Sequence, residues 1–272
     1  VIANIRPSGK NYLMEDFFYA GGLRALMVEL GDKLDLNVKT VTGQTLKECI
    51  KGSKNYNSDV IRTLKNPVYH EGSLAVLKGN LAPDGAVIKP AAMDPKFQKH
   101  NGPAIVADSY AELKEIINDE DYPITADHIL VLRNAGPKGG PGMPEWGMIP
   151  MPKALLKQGH RDMIRLSDAR MSGTSYGACI LHVTPEAFIG GPLALIRTGD
   201  IIQVDIPNRK LDVDISKSEM KKRQEDWVAP KPRYERGYGY IYSKHIEQAD
   251  KGCDFDFLST DFGAAVEEPE IN

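Results

Sequence analysis

The sequence predicts a mixed α/β protein: a helical opening followed by a β-rich domain built as a barrel or a sandwich. Three observations carry this. Apolar residues at three- and four-residue spacing mark the opening segment. From about residue 67 the texture changes to eight short apolar or alternating runs, several bounded by Gly, Pro, Asn or Asp. Few helical stretches fit between those runs, which favours strands laid next to one another.

Over 12–34, Leu13, Phe17, Ala20, Leu23, Leu26, Met27 and Leu30 keep the period of an amphipathic helix, broken near Gly21-Gly22 and stopped at Gly31. A second helix is predicted over 45–51, where Thr45 and Glu48 form a capping-box pair. Strands are predicted over 74–77, 86–89, 104–107, 128–132, 163–166, 180–183, 201–206 and 211–215, with helices over 109–118 and 152–158. The last two strands, separated by Pro207-Asn208, read as a hairpin. Lys217, Lys221, Lys222 and Arg223 interleave with Glu219, Glu225 and Asp226, the pattern of a solvated helix face. From residue 229, Pro230, Pro232, Tyr234, Tyr238, Tyr240 and Tyr242 form a proline- and tyrosine-rich passage, followed by a short helix over 245–249 and an apolar anchor over 253–258. Such a tail cannot bury its aromatics alone, so it is expected to lie on its own domain or on a partner subunit.

The whole-chain quantities exclude several classes. With 272 residues, 42% hydrophobic and 26% charged, the chain has the make-up of a soluble globular protein. A net charge of -3 and a pI near 6.1 give no electrostatic reason to expect nucleic acid. No window approaches the roughly 18 apolar residues of a membrane helix, and residues 1–10 carry no signal-peptide core, so a cytoplasmic location is expected. Cys49, Cys179 and Cys253 are odd in number and far apart, which argues against disulfides and against a self-contained zinc or iron-sulfur site.

Two runs carry the chemistry. Leu166-Ser167-Asp168-Ala169-Arg170-Met171-Ser172-Gly173-Thr174-Ser175-Tyr176-Gly177 packs two charges, four serine or threonine hydroxyls and two glycines into twelve residues. Asn134-Ala135-Gly136-Pro137-Lys138-Gly139-Gly140-Pro141-Gly142-Met143-Pro144-Glu145 joins stiff prolines and permissive glycines to one carboxylate. They are expected to converge on one site. A serine acts as a base only where a cation, a metal or hydrogen-bond donors stabilise its alkoxide, and Ser172 lies between Arg170 and Thr174. Met171 stands before the serine and Gly-x-Ser-x-Gly is absent, so this is no hydrolase elbow. His160 and His182 are read as structural, and 136–142 is no P-loop because no Gly-Lys-Ser/Thr follows.

The two runs, with Tyr12-Leu13-Met14-Glu15-Asp16, Ala20-Gly21-Gly22, Gly79-Asn80-Leu81-Ala82-Pro83-Asp84-Gly85-Ala86, Gly102-Pro103-Ala104 and Leu181-His182-Val183-Thr184-Pro185-Glu186-Ala187, resemble the C-terminal half of the IlvD/EDD family of dihydroxy-acid and sugar-acid dehydratases. Asp168-Ala169-Arg170-Met171-Ser172-Gly173-Thr174, in place of an Asp-Gly-Arg-Phe-Ser-Gly-Gly run, is more similar to the sugar-acid branch, which includes arabinonate and xylonate dehydratases.

The resemblance implies a β-barrel-like swivelling domain over 67–228, preceded by the end of an α/β domain over 1–66 and followed by a C-terminal arm over 229–272. It implies Ser172 as the base that takes the proton beside the substrate carboxylate, Thr174 as its orienting hydroxyl, Arg170 and Gly173 as substrate contacts, and Glu145 as a magnesium ligand. Magnesium rarely takes all its oxygen ligands from one segment, so Glu145 can only complete a site. Glu15 and Asp16 match a family motif without an assigned role.

The cofactors implied are Mg2+ and an iron-sulfur cluster, 2Fe-2S or 4Fe-4S, with most ligands in the family's N-terminal half and no cluster ligand in this chain. The chain opens at Val1 as if in the middle of a protein roughly twice as long, so it is expected to be a C-terminal portion that is inactive alone. The implied reaction is dehydration of a sugar acid to a 2-keto-3-deoxy acid. The alternatives are a branched-chain dihydroxy-acid dehydratase and a non-catalytic domain. The implied partners are the small sugar acid, the N-terminal half of the same protein and further copies in a homodimer or homotetramer, with neither nucleic acid nor membrane.

Overall fold

The computed structural model describes residues 1–258; the last stretch of the predicted arm, 259–272, lies outside the described residues. The opening helices form as the periodicity predicts. Helix α1 (Met14–Tyr19) starts where the Leu13 backbone N–H donates to Asp16 Oδ2 at 2.7 Å, which gives Asp16 a local capping role. Helix α2 (Gly22–Leu30) is separated from it at Gly21, whose φ of 114° and lack of a Cβ let Lys54 O approach to 2.3 Å of where that atom would stand. Helix α3 (Leu46–Ile50) is held by the predicted box: Glu48 N–H donates to Thr45 Oγ1 at 3.3 Å, and Thr45 N–H donates to Glu48 Oε2 at 2.8 Å. Helices α1 and α2 pack on a small core of Ala20, Ala25, Val60 and Ile61. Leu13, Met14, Phe18, Tyr19 and Leu23 stay exposed.

The β-rich domain is one eight-stranded sheet: β1 (Ala75–Leu77), β2 (Gly85–Ile88), β3 (Lys99–Ala107), β4 (Ile129–Leu132), β5 (Arg165–Ser167), β6 (Cys179–Thr184), β7 (Ile201–Asp205) and β8 (Lys210–Val213), in the order β1-β2-β6-β5-β4-β3-β7-β8. The four central strands run parallel, and each flank is an antiparallel pair. Ile129, Leu130, Val131 and Leu132 of β4 are all buried, as expected for a parallel strand covered on both faces. Helix α4 (Tyr110–Asn118), capped by Ser109, contributes Leu113, Ile116 and Ile117 to the same core, and helix α5 (Lys153–Lys157) contributes Ala154 and Leu155.

The sheet curls until its edges meet. Lys78 N–H donates to Arg209 O at 2.9 Å and Leu211 N–H donates to Lys78 O at 3.0 Å, and Asn80 fastens the seam by bonding the backbone of Val213 in both directions. A nearly closed barrel, with no free edge strand at this seam, therefore replaces the barrel-or-sandwich alternative.

Helix α6 (Lys217–Glu225) is the solvated helix predicted, with one exception. Arg223 reaches back to Asp200 at 2.5 Å and to Leu195 O at 2.9 Å, fixing the helix to the barrel.

The tail departs from expectation. Its helix, α7 (Gly237–His245), lies earlier than the predicted 245–249. Ile246 is instead buried and bridges antiparallel to Phe255, so a tertiary pairing overrides local helix propensity, and only a single 3-10 turn forms at Ala249–Lys251. The anchor is partial: Phe255 stacks with Phe257, yet Phe257 and Leu258 remain exposed. Among the described residues no helix is long and apolar enough to cross a membrane.

Candidate active site

Parallel pairing explains why the two runs converge. Strands β4 and β5 lie side by side, with Leu132 opposite Ser167, so the loops that follow them leave the same end of the sheet. Asp168, the first residue beyond β5, is wholly buried and accepts backbone N–H groups from Ala135 and Ala187 at 2.9 Å and from Asn134 at 3.2 Å. It thereby ties the root of the glycine-proline loop to the root of the serine loop. Glu186 does the same for the middle of that loop, accepting from Lys138 and Gly139 N–H at 2.9 Å and from Gln248 Nε2 at 2.6 Å. Gly136 is required at this junction, because a Cβ there would stand 2.7 Å from Glu186 Oε2.

Burial pushes the Asp168 carboxyl up to about 7, against the pull of the backbone donors and aided by the nearby Glu186. The native state thus keeps a proton that an unfolded chain releases near 3.8, so this group's contribution to stability is full below pH 3.8 and declines as pH rises to about 7. We expect urea unfolding to show that the stability advantage of the native chain over Asp168→Asn shrinks by about 2 kcal/mol between pH 5 and pH 8. A pH-independent difference would mean that Asp168 is ionised throughout.

The serine turn occupies the β5–β6 connection. Ser172 Oγ lies 3.0 Å from Thr174 Oγ1 and 3.2 Å from Ser175 Oγ, while Ser172 N–H donates to Ser175 Oγ at 3.1 Å. Ser175 is buried, whereas Gly173 and Thr174 are exposed. Lys89, which follows β2, places its Nζ 2.7 Å from Ser172 O, 2.9 Å from Gly173 O and 3.4 Å from Ser175 O. Burial lowers its ammonium pKa, with the neighbouring Cys179 acting in the opposite sense.

Before the turn, Met171 N–H donates to His182 Nε2 at 2.8 Å. Burial, and then the charge of Arg170, keep the His182 pKa low, so the neutral ring presents that nitrogen as an acceptor. His182 therefore orients the turn.

Beneath the turn, Arg165 is 1% exposed and donates to Asp162 Oδ1 and Ile149 O at 2.9 Å and to Tyr176 O at 3.1 Å. Gly177 adopts φ 76°, and a Cβ on it would sit 2.2 Å from Arg165 Nη2. Both its conformation and its space demand glycine. We expect Gly177→Ala to destabilise the chain by about 2 kcal/mol or more in urea unfolding. An unchanged midpoint would show that the turn relaxes freely.

The structure thus brings Ser172 and Thr174 together, and separately brings Arg170 and Glu145 together. Arg170 spans the two loops: its Nε donates to Met143 O at 2.6 Å and its Nη1 pairs with Glu145 Oε1 at 3.0 Å. Gly173 faces open space. A cavity of about 410 Å³, lined by Arg6, Lys10, Ala92, Thr174 and Tyr176 among others, opens beside the turn.

Glu145 is the one predicted metal ligand, and its carboxylate is exposed and arginine-paired. Among the described residues no group of three or more His, Cys, Asp or Glu is placed to hold a metal ion. The cysteines are free and separate; Cys179 is buried with its Sγ against Tyr176 O.

The sequence reading missed Lys89, Ser175 and Glu186 as parts of this assembly and gave Asp168 no separate role. Ser175 and Asp168 lie inside the quoted run, whereas Lys89 is 83 residues from Ser172 along the chain and carries no local signal.

Residues 59–253 match the model described as dihydroxy-acid/6-phosphogluconate dehydratase C-terminal, and residues 1–49 match the N-terminal model of the same name. The chain is 48% identical to a 6-deoxy-6-sulfo-D-gluconate dehydratase of Pseudomonas putida, an alignment covering 100% of this chain and 47% of that protein. It is 45% identical to an L-arabinonate dehydratase of Rhizobium leguminosarum bv. trifolii, covering 97% of this chain and 46% of that one. It is 44% identical to a dihydroxy-acid dehydratase of Acetivibrio thermocellus, covering 93% and 45%. The chain spans about half the length of the curated relatives it matches. A family model that covers all eight strands and most of the chain shows that the chain belongs to the dihydroxy-acid/6-phosphogluconate dehydratase family.

Proposed function

We propose that this chain supplies the C-terminal part of the active site of a hydro-lyase that dehydrates a sugar acid to a 2-keto-3-deoxy acid. The observation that carries the reading is the Ser172–Thr174 hydroxyl pair, 3.0 Å apart on a turn at the C-terminal end of the parallel strands. Ser172 is the base that removes the proton from C2, and Thr174 orients its oxygen. Gly173, exposed with open space in front of it, lets the substrate approach the backbone. Arg170 serves the substrate side by holding the two loops in register and by placing a cation near its carboxylate. The sugar-acid class is favoured because 6-deoxy-6-sulfo-D-gluconate and L-arabinonate dehydratases are among the most similar relatives.

Glu145 is one hard oxygen donor for Mg2+, to be joined by ligands from outside this chain, and it must exchange Arg170 for the ion. When bound, magnesium would hold the carboxylate and adjacent hydroxyl, and an iron-sulfur cluster would assist departure of the C3 hydroxyl. The exposed Leu13, Met14, Phe18, Tyr19 and Leu23 are a surface for the remainder of the N-terminal half, since residues 1–49 match the family's N-terminal model and the relatives are about twice this length. The exposed aromatics of the tail, among them Tyr238, suit packing between subunits of a homodimer or homotetramer. Three free cysteines suit a reducing, cytoplasmic setting.

The test is keto-acid formation by the full-length protein, purified without oxygen, with L-arabinonate, D-xylonate, 6-deoxy-6-sulfogluconate and 2,3-dihydroxyisovalerate supplied separately. We expect kcat/KM for one of the aldonates to exceed that for dihydroxyisovalerate by at least about tenfold, a difference of about 1.4 kcal/mol in transition-state binding. A preference for dihydroxyisovalerate would place the protein in the branched-chain class, and no product from any of the four would leave a binding domain.

A further inference from the structure

We infer that Lys89 is a positioning residue for the serine turn, and that it makes the outer face of the turn a receptor for an anionic oxygen of the substrate, its carboxylate. This rests on the reading of Ser172 as the base.

The argument begins with the three N–H bonds of an ammonium group, which are matched by three carbonyl oxygens: those of Ser172, Gly173 and Ser175. In a planar trans peptide the C=O of one residue and the N–H of the next point in opposite directions. Drawing those three carbonyls toward Lys89 therefore turns the N–H groups of Gly173, Thr174 and Tyr176 away from it. Among the described residues none of these three N–H groups donates to a protein acceptor. Gly173 has open space where a Cβ would stand, and Gly173, Thr174 and Tyr176 are all exposed. The adjacent N–H groups of Gly173 and Thr174, with that of Tyr176 beyond the inward-bonded Ser175, are donors of the kind that receives anions.

The charge on Lys89 adds to this. Lys89 is half-buried at the base of the turn, and among the described residues the hydrogen-bond partners of its ammonium are backbone carbonyls. Its ammonium is received by three carbonyl dipoles, so its charge favours a negative group at this turn, which also carries Ser172 Oγ and Thr174 Oγ1. Arginine would not reproduce this arrangement, because a planar fork cannot place three donors on carbonyls that converge on a single atom.

The experiment uses the full-length protein with its metal centre loaded, and glycerate, the smallest 2,3-dihydroxy acid, as the probe. Hydrogen–deuterium exchange of the peptide spanning 171–178 is measured with and without glycerate, alongside kcat on the best aldonate. In the native protein glycerate is expected to slow exchange in that peptide. Lys89→Met keeps the aliphatic stem and is expected to abolish that protection and lower kcat about 100-fold. Lys89→Arg is expected to keep the fold and restore only part of either.

Lys89→Met with native protection and native kcat overturns the inference. If Lys89→Met does not fold, Lys89→Arg decides: native protection and native kcat overturn it, and a reduction of both with an unchanged melting temperature upholds it. Ser172→Ala is run beside them. Turnover retained by that variant defeats the serine reading itself, whereas glycerate protection lost in Lys89→Met and kept in Ser172→Ala upholds the role of Lys89.

Discussion

Ser172→Ala in the full-length protein is expected to lower kcat by about 10²–10⁴-fold, the range associated with loss of a positioned general base. The fold should tolerate the change. Ser172 Oγ bonds only to the hydroxyls of Thr174 and Ser175, both of which keep other partners or solvent, so the stability cost is about 1 kcal/mol. The neighbouring Thr174→Val removes only the orienting hydroxyl and should cost less than the loss of the base. Keto-acid production per mole of iron-loaded enzyme checks both variants, and Ser172→Ala retaining more than about a tenth of native kcat would remove Ser172 from the mechanism. The comparison matters because Ser175, three residues on, carries the same functional group. Ser175 is buried and receives the Ser172 N–H, so Ser175→Ala is expected to act through the shape of the turn.

Arg165→Met is expected to give the largest loss of stability, about 3–5 kcal/mol, because it leaves the carboxylate of Asp162 without its cation in a buried setting. Arg165 also bonds Ile149 O and Met163 O, so its loss strands two further acceptors. Asp162 stays anchored by the N–H groups of Asp94 and Ala178, and those bonds draw the serine turn, the β6 start and the loop after β2 to one point. Loosening that point should disturb the turn through Tyr176 O, so activity should fall together with stability. Urea unfolding of this chain provides the measurement. The double variant Arg165→Met with Asp162→Asn is expected to recover part of the loss, since it removes the unpaired charge; a double variant no better than the single would show that the lost carbonyl bonds dominate.

The sequence by itself determined the strand pattern, the opening helices and the chemical content of the two loops. Each of these has a local physical cause: alternation of apolar side chains along a pleated strand, the 3.6-residue period of a helix, the Thr45–Glu48 cap, and glycines at positions such as Gly21 and Gly31 where the chain turns. The order of residues around Ser172 likewise fixed which hydroxyls meet, because Thr174 and Ser175 are within one turn of it. Only the tertiary structure decided the rest. Closure of the barrel depends on Lys78 meeting Leu211, the early helix of the tail on Ile246 finding Phe255, and the shape of the serine turn on Lys89, Arg165 and His182 arriving from other strands. The reason is common to all of these. A buried donor or acceptor must find a partner, but the partner is chosen by proximity in the folded chain, and nothing in the residues immediately around Lys89 or Asp168 specifies it.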